Sequence, residues 1–519
     1  MSFQKRHLLD FIAAGIVTVF LACGSETEPV APSVKVDGPL HNAEGQDQDG
    51  GVDAWEVYYI QGAKVGYGHI TERMIQKDGQ SLLKSTAFNY LALKRYGQKI
   101  TQTLRLETSE LATGELVRFR SELSQGPVPV VTEGRLAGNR LMITTTTVGK
   151  TVESELSWHG TSQGFFATEQ SLKRNPMRPG EVRKLHVLIP IFNQVAKVTL
   201  TAGDYESTEI LGRQQELLRI ESSADLSGVA PMKTVSWTNR EGVTVKSFVP
   251  SIGQTSYRVS RTVALVPDVA GATFDLGDFS TVRIEGEFPR PHDTREVVYR
   301  VHLQDEDPSH IFAACLSQSI ESIDDRTALI VVQAIDPKSP GTLDGGHPAG
   351  TSPEDLQPSS LIQSDDARVV EMAFSIHPQF QEPWHVACRL EKLVRDKMQA
   401  HDFSQAFATA AEVAETLQGD CTEHAVLLAA LCRARGIPAR VAMGLVYYPQ
   451  EMGFAYHMWN EVWIEDRWVP LDATLGRGGI GAAHLKLGDS NLHGAGAYAA
   501  FLPVFQVLGR LSIDVEQRR

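Results

Sequence analysis

The segment Gly419-Asp420-Cys421-Thr422-Glu423-His424 places a thiol at the polar start of an apolar run, AVLLAALCRARGIP. Asp420 is a helix-capping residue, and Glu423 follows it at capping-box spacing. Gly436 and Pro438 end the run as helix stops. Residues 425–432 are apolar on every side, which predicts a buried helix. Cys421 would be its first residue, where unpaired N–H groups and the helix dipole favour the thiolate, the nucleophilic form. Asp420 and Glu423 oppose that effect, so a nearby histidinium has to outweigh them. Most free cysteines are small buried apolar residues. Cys432, inside the same run, fits that description, and Cys421 at the polar end fits it less well.

A partner histidine lies downstream. Ala439 to Tyr448 reads as a strand, Pro449 to Gly453 as a loop, and His457 to Ile464 as a second strand. Glu465-Asp466-Arg467 turns the chain, and Trp468 to Asp472 returns. This hairpin brings His457 and Asp472 to the same end of a sheet. With a two-residue turn at Asp466-Arg467, Asp472 falls opposite Glu461, four residues from His457. In that register the two side chains touch only through a bulge or strong twist. His424, one turn from Cys421, offers a second metal-ligand type, but two ligands without a third make a poor site. A solvated or substrate-facing histidine is the expected role, and no metal or cofactor is implied.

The linked motifs G-x-C-x-x-x-A (Gly419, Cys421, Ala425), R-A-x-G-I-P-A-R (Arg433 to Arg440), H-x-W-N-E-V-W (His457 to Trp463) and W-x-x-L-D-A-T (Trp468 to Thr474) resemble the transglutaminase-like core family. The resemblance covers residues 365 to 480. It implies a papain-like α+β fold, with Cys421 as nucleophile, His457 as base and Asp472 as the group that orients the histidine. Animal members of that family use calcium, and this sequence offers no acidic cluster to bind it. The implied chemistry is attack of a thiolate on a carboxamide or peptide carbonyl, giving a thioester resolved by water or an amine. The backbone N–H of Cys421 would be one oxyanion donor. Gln418 and Trp384 are candidates for the second. Gln418 and Trp459 are the candidate substrate-binding residues.

Three readings follow: a cysteine peptidase or amidase, a glutamine-to-amine transglutaminase, and a binding module with an idle triad. The intact triad places enzymes ahead of the third. Hydrolysis leads, because Cys421 and Asp472 stand only 51 positions apart and leave little room for a sheltered amine site. Trp459, Trp463 and Trp468 are the aromatic residues available to line one. Bacterial members of the family also look like peptidases.

The rest of the chain must position and deliver this site. At 519 residues it holds several domains. Its net charge of −14 argues against nucleic acid as a partner, since phosphate neutralisation needs a basic face. Residues 1–23 read as a secretory signal: Lys5, Arg6 and His7 precede the apolar run Phe11 to Ala22, too short to span a bilayer. Leu21-Ala22-Cys23-Gly24 resembles a lipoprotein box, which implies lipid on Cys23 and anchoring in the envelope, in the outer membrane.

Residues 24–54 are polar and read as a flexible tether. From 55 to 274, alternating runs such as WEVYYI, KITQTLRLETSE and QELLRIESS predict an antiparallel sandwich or partial barrel. Residues 275–336 carry EVVYRVHL and TALIVVQAI and read as a small β domain or an extension of the first. Residues 337–360, rich in Pro, Gly and Ser, read as a linker, and 361–519 as the catalytic domain. The fold class is thus multidomain: an N-terminal antiparallel all-β region, then an α+β papain-like core. The four cysteines after Cys23 are too few for a disulfide framework in so long a chain, and one bridge, Cys315 to Cys388, stays open. The expected partner is a protein or peptide substrate, with a cell-envelope component among the possibilities.

Overall fold

A computed structural model describes residues 44–46 and 51–518. Outside the description lie residues 78, 112, 126–128, 148–149, 227–230, 267–273, 287, 305, 336–349, 378–380, 399–407, 495–501 and 508. The expected signal peptide and lipoprotein box, with Cys23, also lie outside the described residues. Two compact units change over between Leu276 and Gly277. No helix among the described residues is long and apolar enough to cross a membrane.

The first unit is built on one continuous β-sheet. Strands from Val52–Ile60 to Lys150–Ser157 follow one another as sequential neighbours. A second run, from Ser162–Gln163 to Gln254–Val259, ends by pairing with Val52–Ile60. Pairing is antiparallel except where Ser162–Gln163 meets His186 and Val187. The expected β region is therefore present, and its strands bond into one sheet rather than two. Its first strand starts at Val52, and Glu44–Gln46 pairs with it, so hydrogen bonding reaches into residues expected as a tether. A short helix, Ala167–Arg174, interrupts the strands. Eight residues are too few to show helical periodicity above strand alternation.

Strand alternation in this unit buries several carboxyl groups. Glu56, Glu72 and Glu110 are almost fully buried. Ser85 donates to Glu72 at 2.9 Å, Gln170 of the short helix donates to Glu110 at 2.9 Å, and the Tyr58 hydroxyl donates to Asn89 at 2.6 Å. Burial outweighs these hydrogen bonds and pushes Glu56 and Glu72 each up to about 8. Both carboxyls are then neutral at pH 7.

The second unit packs helices and one sheet around the Cys421 helix, and a second sheet against the first. One sheet orders Val282–Arg283, Gly453–Ile464, Ala439–Tyr448 and His484–Ser490, with Arg467–Leu471 added to Gly453–Ile464. The other orders Gln318–Asp324, Thr327–Gln333, Glu296–Leu303 and Leu511–Arg518. Val297, Tyr299 and Val301 share one apolar core with Leu445, Phe454 and Leu485, and the Tyr299 hydroxyl donates to the Ala482 carbonyl at 2.7 Å. Residues 282–333 therefore belong to the second unit and form neither a domain of their own nor an extension of the first. Their sheet is completed by the chain's last strand, a pairing across some two hundred positions that no local pattern announces. The described end of the expected linker is packed as well, since the Gln357 carbonyl accepts from Arg433 at 2.7 Å.

The raised acids set the sign of the first unit's response to pH. A carboxyl whose folded value exceeds its unfolded value binds its proton more tightly when folded. Its contribution is complete below the ordinary value of 4.5 and is lost as pH rises through about 8. Thermal melts should therefore show stability falling between pH 5 and pH 9. Glu72→Gln, which mimics the neutral acid, should flatten that fall. A fall equally steep in the variant would rule out Glu72 as its source.

Candidate active site

Cys421–Ala434 forms the expected helix, and Asp420 caps it. The Asp420 carboxylate accepts from Thr422 N–H at 2.8 Å, and Glu423 reaches back to Asp420 N–H at 2.9 Å. Gly419 makes this fold-back feasible: its φ is +139°, and a Cβ there would stand 2.4 Å from Glu423 Cβ. The capping box uses the N–H groups of the second and third helical residues. That leaves the N–H of Cys421 at the helix start for an incoming oxyanion. Burial, then the charge of Asp420, pushes the Glu423 carboxyl well above its usual value. That shift disfavours charge on Glu423 and so weakens the pair's opposition to a thiolate.

His424 is buried and its Nδ1 donates to the Asp420 carbonyl at 2.6 Å. It serves the helix's first turn and does not face solvent or substrate as expected. The reason is its place one turn in, on a helix buried on every side.

His457 lies on Gly453–Ile464, directly across from Gly444. Cys421 is close enough to the His457 ring to favour the charged imidazole, and the ring's Nε2 donates to Asp472 Oδ2 at 2.8 Å. With Nε2 committed, Nδ1 is the nitrogen left for sulfur. The hairpin register differs from the expected one. Ile464 pairs with Arg467, so the turn is Glu465-Asp466, both with positive φ, a two-residue hairpin turn. The strand ends at Leu471 opposite Asn460, and Asp472 follows two residues nearer His457 than the other turn allowed. No bulge is required.

Asp472 is 1% exposed and both its oxygens are occupied. Oδ2 accepts from His457 and, at 3.1 Å, from His484 Nε2. Oδ1 accepts from the Thr474 amide at 2.8 Å and hydroxyl at 2.6 Å. Burial works against ionisation, yet the two imidazoles hold the carboxyl well below its usual range. Burial likewise opposes charge on His457, but Asp472 and Cys421 outweigh it and lift the imidazole to about 10. The arrangement is a thiol beside a histidine that keeps its proton at neutral pH. One donor atom from each of His457, Asp472 and His484 lies within 4.8 Å of the others, a closeness that hydrogen bonding to one shared oxygen explains.

Several residues beyond the expected three hold this geometry. Asn460 Nδ2 donates to the Ala425 carbonyl at 2.8 Å and ties the histidine strand to the cysteine helix. Arg433 donates to the carbonyls of Ala439 and Asn491 and fixes the helix-to-strand turn. Buried Glu461 accepts from Lys486 at 2.7 Å and from Arg440 at 2.8 Å. Glu391, on helix Pro383–Lys397, accepts from the amides of Asp472 and Gly478 and anchors both ends of that loop. Burial pushes Glu391 up to about 7, against those hydrogen bonds.

The candidate substrate residues fare differently. Gln418 is exposed just before the cysteine helix. Trp459 is 2% exposed and packs against His457 and His484, with ring centroids 6.2 and 5.2 Å away. It backs the triad and is not available to substrate, because alternation places it on the histidine's face but under the neighbouring strand. Trp468 is buried beneath Arg440 and against Trp463, so these two are packing residues as well. Trp384 sits at the start of helix Pro383–Lys397, its amide bonded to Glu382.

All four described cysteines are free thiols, so Cys315 and Cys388 are not bridged. Burial pushes Cys315 and Cys432 up and Cys388 up to about 12. Iodoacetamide at pH 7 should therefore label Cys421 before the other three, as read by peptide mass. His457→Phe should slow Cys421 labelling by about tenfold or more. Faster labelling of Cys388, Cys432 or Cys315 in folded protein would contradict the assignment.

The sequence profile of the transglutaminase-like superfamily matches residues 373–473. No curated protein is significantly similar to the chain in sequence. Among solved structures, a candidate cysteine protease from Cytophaga hutchinsonii is similar at 17% identity, over 44% of this chain and 89% of that one, with a TM-score of 0.28. The periplasmic domain of TgpA from Pseudomonas aeruginosa matches at 16% identity, over 38% and 89%, with a TM-score of 0.23. A β-barrel-like protein of a domain of unknown function from Brucella abortus matches at 11% identity, over 40% and 96%, with a TM-score of 0.30. Residues 373–473 are thus a domain of the transglutaminase-like superfamily.

Proposed function

We propose that this chain is a thiol-dependent acyl-transfer enzyme acting on peptide or carboxamide substrates, and that water is its usual acceptor. The observation that carries the reading is an imidazole beside the Cys421 thiol whose Nε2 donates to a buried carboxylate at 2.8 Å. Cys421 attacks the carbonyl carbon, forming a C–S bond while the carbonyl electrons move to oxygen near the Cys421 N–H. Collapse breaks the C–N bond, and His457 gives its proton to the leaving amine. Water then attacks the thioester, His457 takes its proton, and the carboxylic acid leaves with the thiol restored. Asp472 holds the ring orientation through both steps.

Hydrolysis is favoured over transfer to an amine because a transferase needs a sheltered acceptor channel. Trp459 and Trp468 are committed to packing. An exported protein anchored through Cys23, meeting peptide or envelope substrates, fits the N-terminal residues. Cys23→Ala should release the protein to the soluble exported fraction, and a mature protein without added lipid mass would reject the anchor.

The reaction type is tested by competition. A peptide library with a primary amine at millimolar level should give hydrolysed products in excess of amine adducts. Cys421→Ala should remove both, by about a thousandfold or more. Adducts in excess would make the enzyme a transglutaminase, and neither product would leave a binding module.

A further inference from the structure

His484 lies in none of the motifs that mark the domain and beyond the matched residues 373–473. It opens the strand His484–Ser490. That strand closes tightly on Ala439–Tyr448 because Gly444 has no side chain; a Cβ there would stand 1.9 Å from the Leu485 carbonyl oxygen. Gly444 is the residue directly across from His457. The close approach therefore delivers a second imidazole to Asp472.

The His484 ring is fully buried, edge-on to Trp459 at 5.2 Å between centroids. Its Nε2 reaches Asp472 Oδ2 at 3.1 Å, the oxygen that also accepts from His457 at 2.8 Å. An oxygen that accepts two N–H bonds shares its charge between them. A neutral donor on that oxygen leaves less of the charge to stabilise the His457 imidazolium. This matters chemically, because His457 must release its proton to the leaving group as well as hold it.

We propose that His484 is a positioning residue of the triad, a neutral Nε2–H donor that locks the Asp472 carboxylate and limits the charge it presents to His457. The inference rests on the acyl-transfer reading above. Other ionisable groups facing the pair are Cys421 from the cysteine helix, Glu391 from helix Pro383–Lys397, and His292 and Arg477 from loops. The His292 ring lies 5.9 Å from that of His484, and burial followed by the neighbouring imidazole pushes it down to about 4. His292 is therefore neutral across the working range. Burial holds His484 below its usual value too, against the pull of Asp472.

The test is the pH profile of Cys421 alkylation by iodoacetamide in the full chain, read by peptide mass. His484→Phe keeps the bulk and deletes the donor. It should move the alkaline limb, set by His457, up by about one pH unit. His484→Gln places an amide N–H near the same point and should bring the limb back towards the wild-type position. A limb unmoved in folded His484→Phe would reduce the residue to packing and overturn the proposal. His457→Phe separates the two levels: if it leaves the wild-type profile intact, the acyl-transfer reading fails and takes this inference with it. Should His484→Phe not fold, nitrogen NMR of the wild-type ring decides. A neutral Nε2–H tautomer at pH 7 supports the proposal, and a charged ring or an Nδ1–H tautomer overturns it.

Discussion

A carboxylate removed from water survives as an anion only if donors replace the water. Asp472 has four: two imidazoles on one oxygen, and the amide and hydroxyl of Thr474 on the other. Because it stays ionised, it keeps a proton on His457 against the cost of burial. Because His457 stays protonated, a thiolate at Cys421 has a counter-charge at the end of a helix that already favours it. Remove the carboxylate's partners and each later step loses its support in turn.

Much of the second unit exists to keep those groups in register. Asn460 spans from the histidine strand to Ala425 of the cysteine helix. Arg440, Lys486, Glu461 and Asp489 form a charge network across three adjacent strands. Buried pairs of this kind contribute little net stability, but losing one partner strands a charge and costs about 3–5 kcal/mol. Such a network penalises a slipped register, which in this sheet would separate His457 from both its neighbours. Gly419 and Gly444 do the complementary work of permitting close approach where any side chain would collide.

The cysteine helix, its cap and its stop were legible because capping chemistry and apolar runs are local signals. The hairpin carrying His457 and Asp472 was legible as strands but not in register: shifting the turn from Asp466-Arg467 to Glu465-Asp466 moved Asp472 two residues and removed the need for a bulge. Propensity does not separate two overlapping polar turns, and backbone φ does. His484 and Glu391 are not legible in sequence, since their side chains reach the carboxylate and the backbone amide of Asp472 across 12 and 81 positions. The positions of Gly444 and of a histidine opening the next strand were the signals present, and they acquire meaning only once the strands are paired. Trp459 was misread because alternation tells which face a residue takes, not what covers that face. The β segment near residue 300 was assigned by proximity in sequence, while its true partner strand waits at the chain's end.

The central claim is that the buried Asp472 carboxylate keeps His457 protonated beside Cys421. Nitrogen NMR of the full chain, with histidine labelled and the His457 signal assigned through His457→Gln, measures this directly. The ring should be protonated on both nitrogens at pH 7 and lose its proton only near pH 10. A neutral His457 ring at pH 7, titrating near the ordinary value of about 6.5, would contradict it.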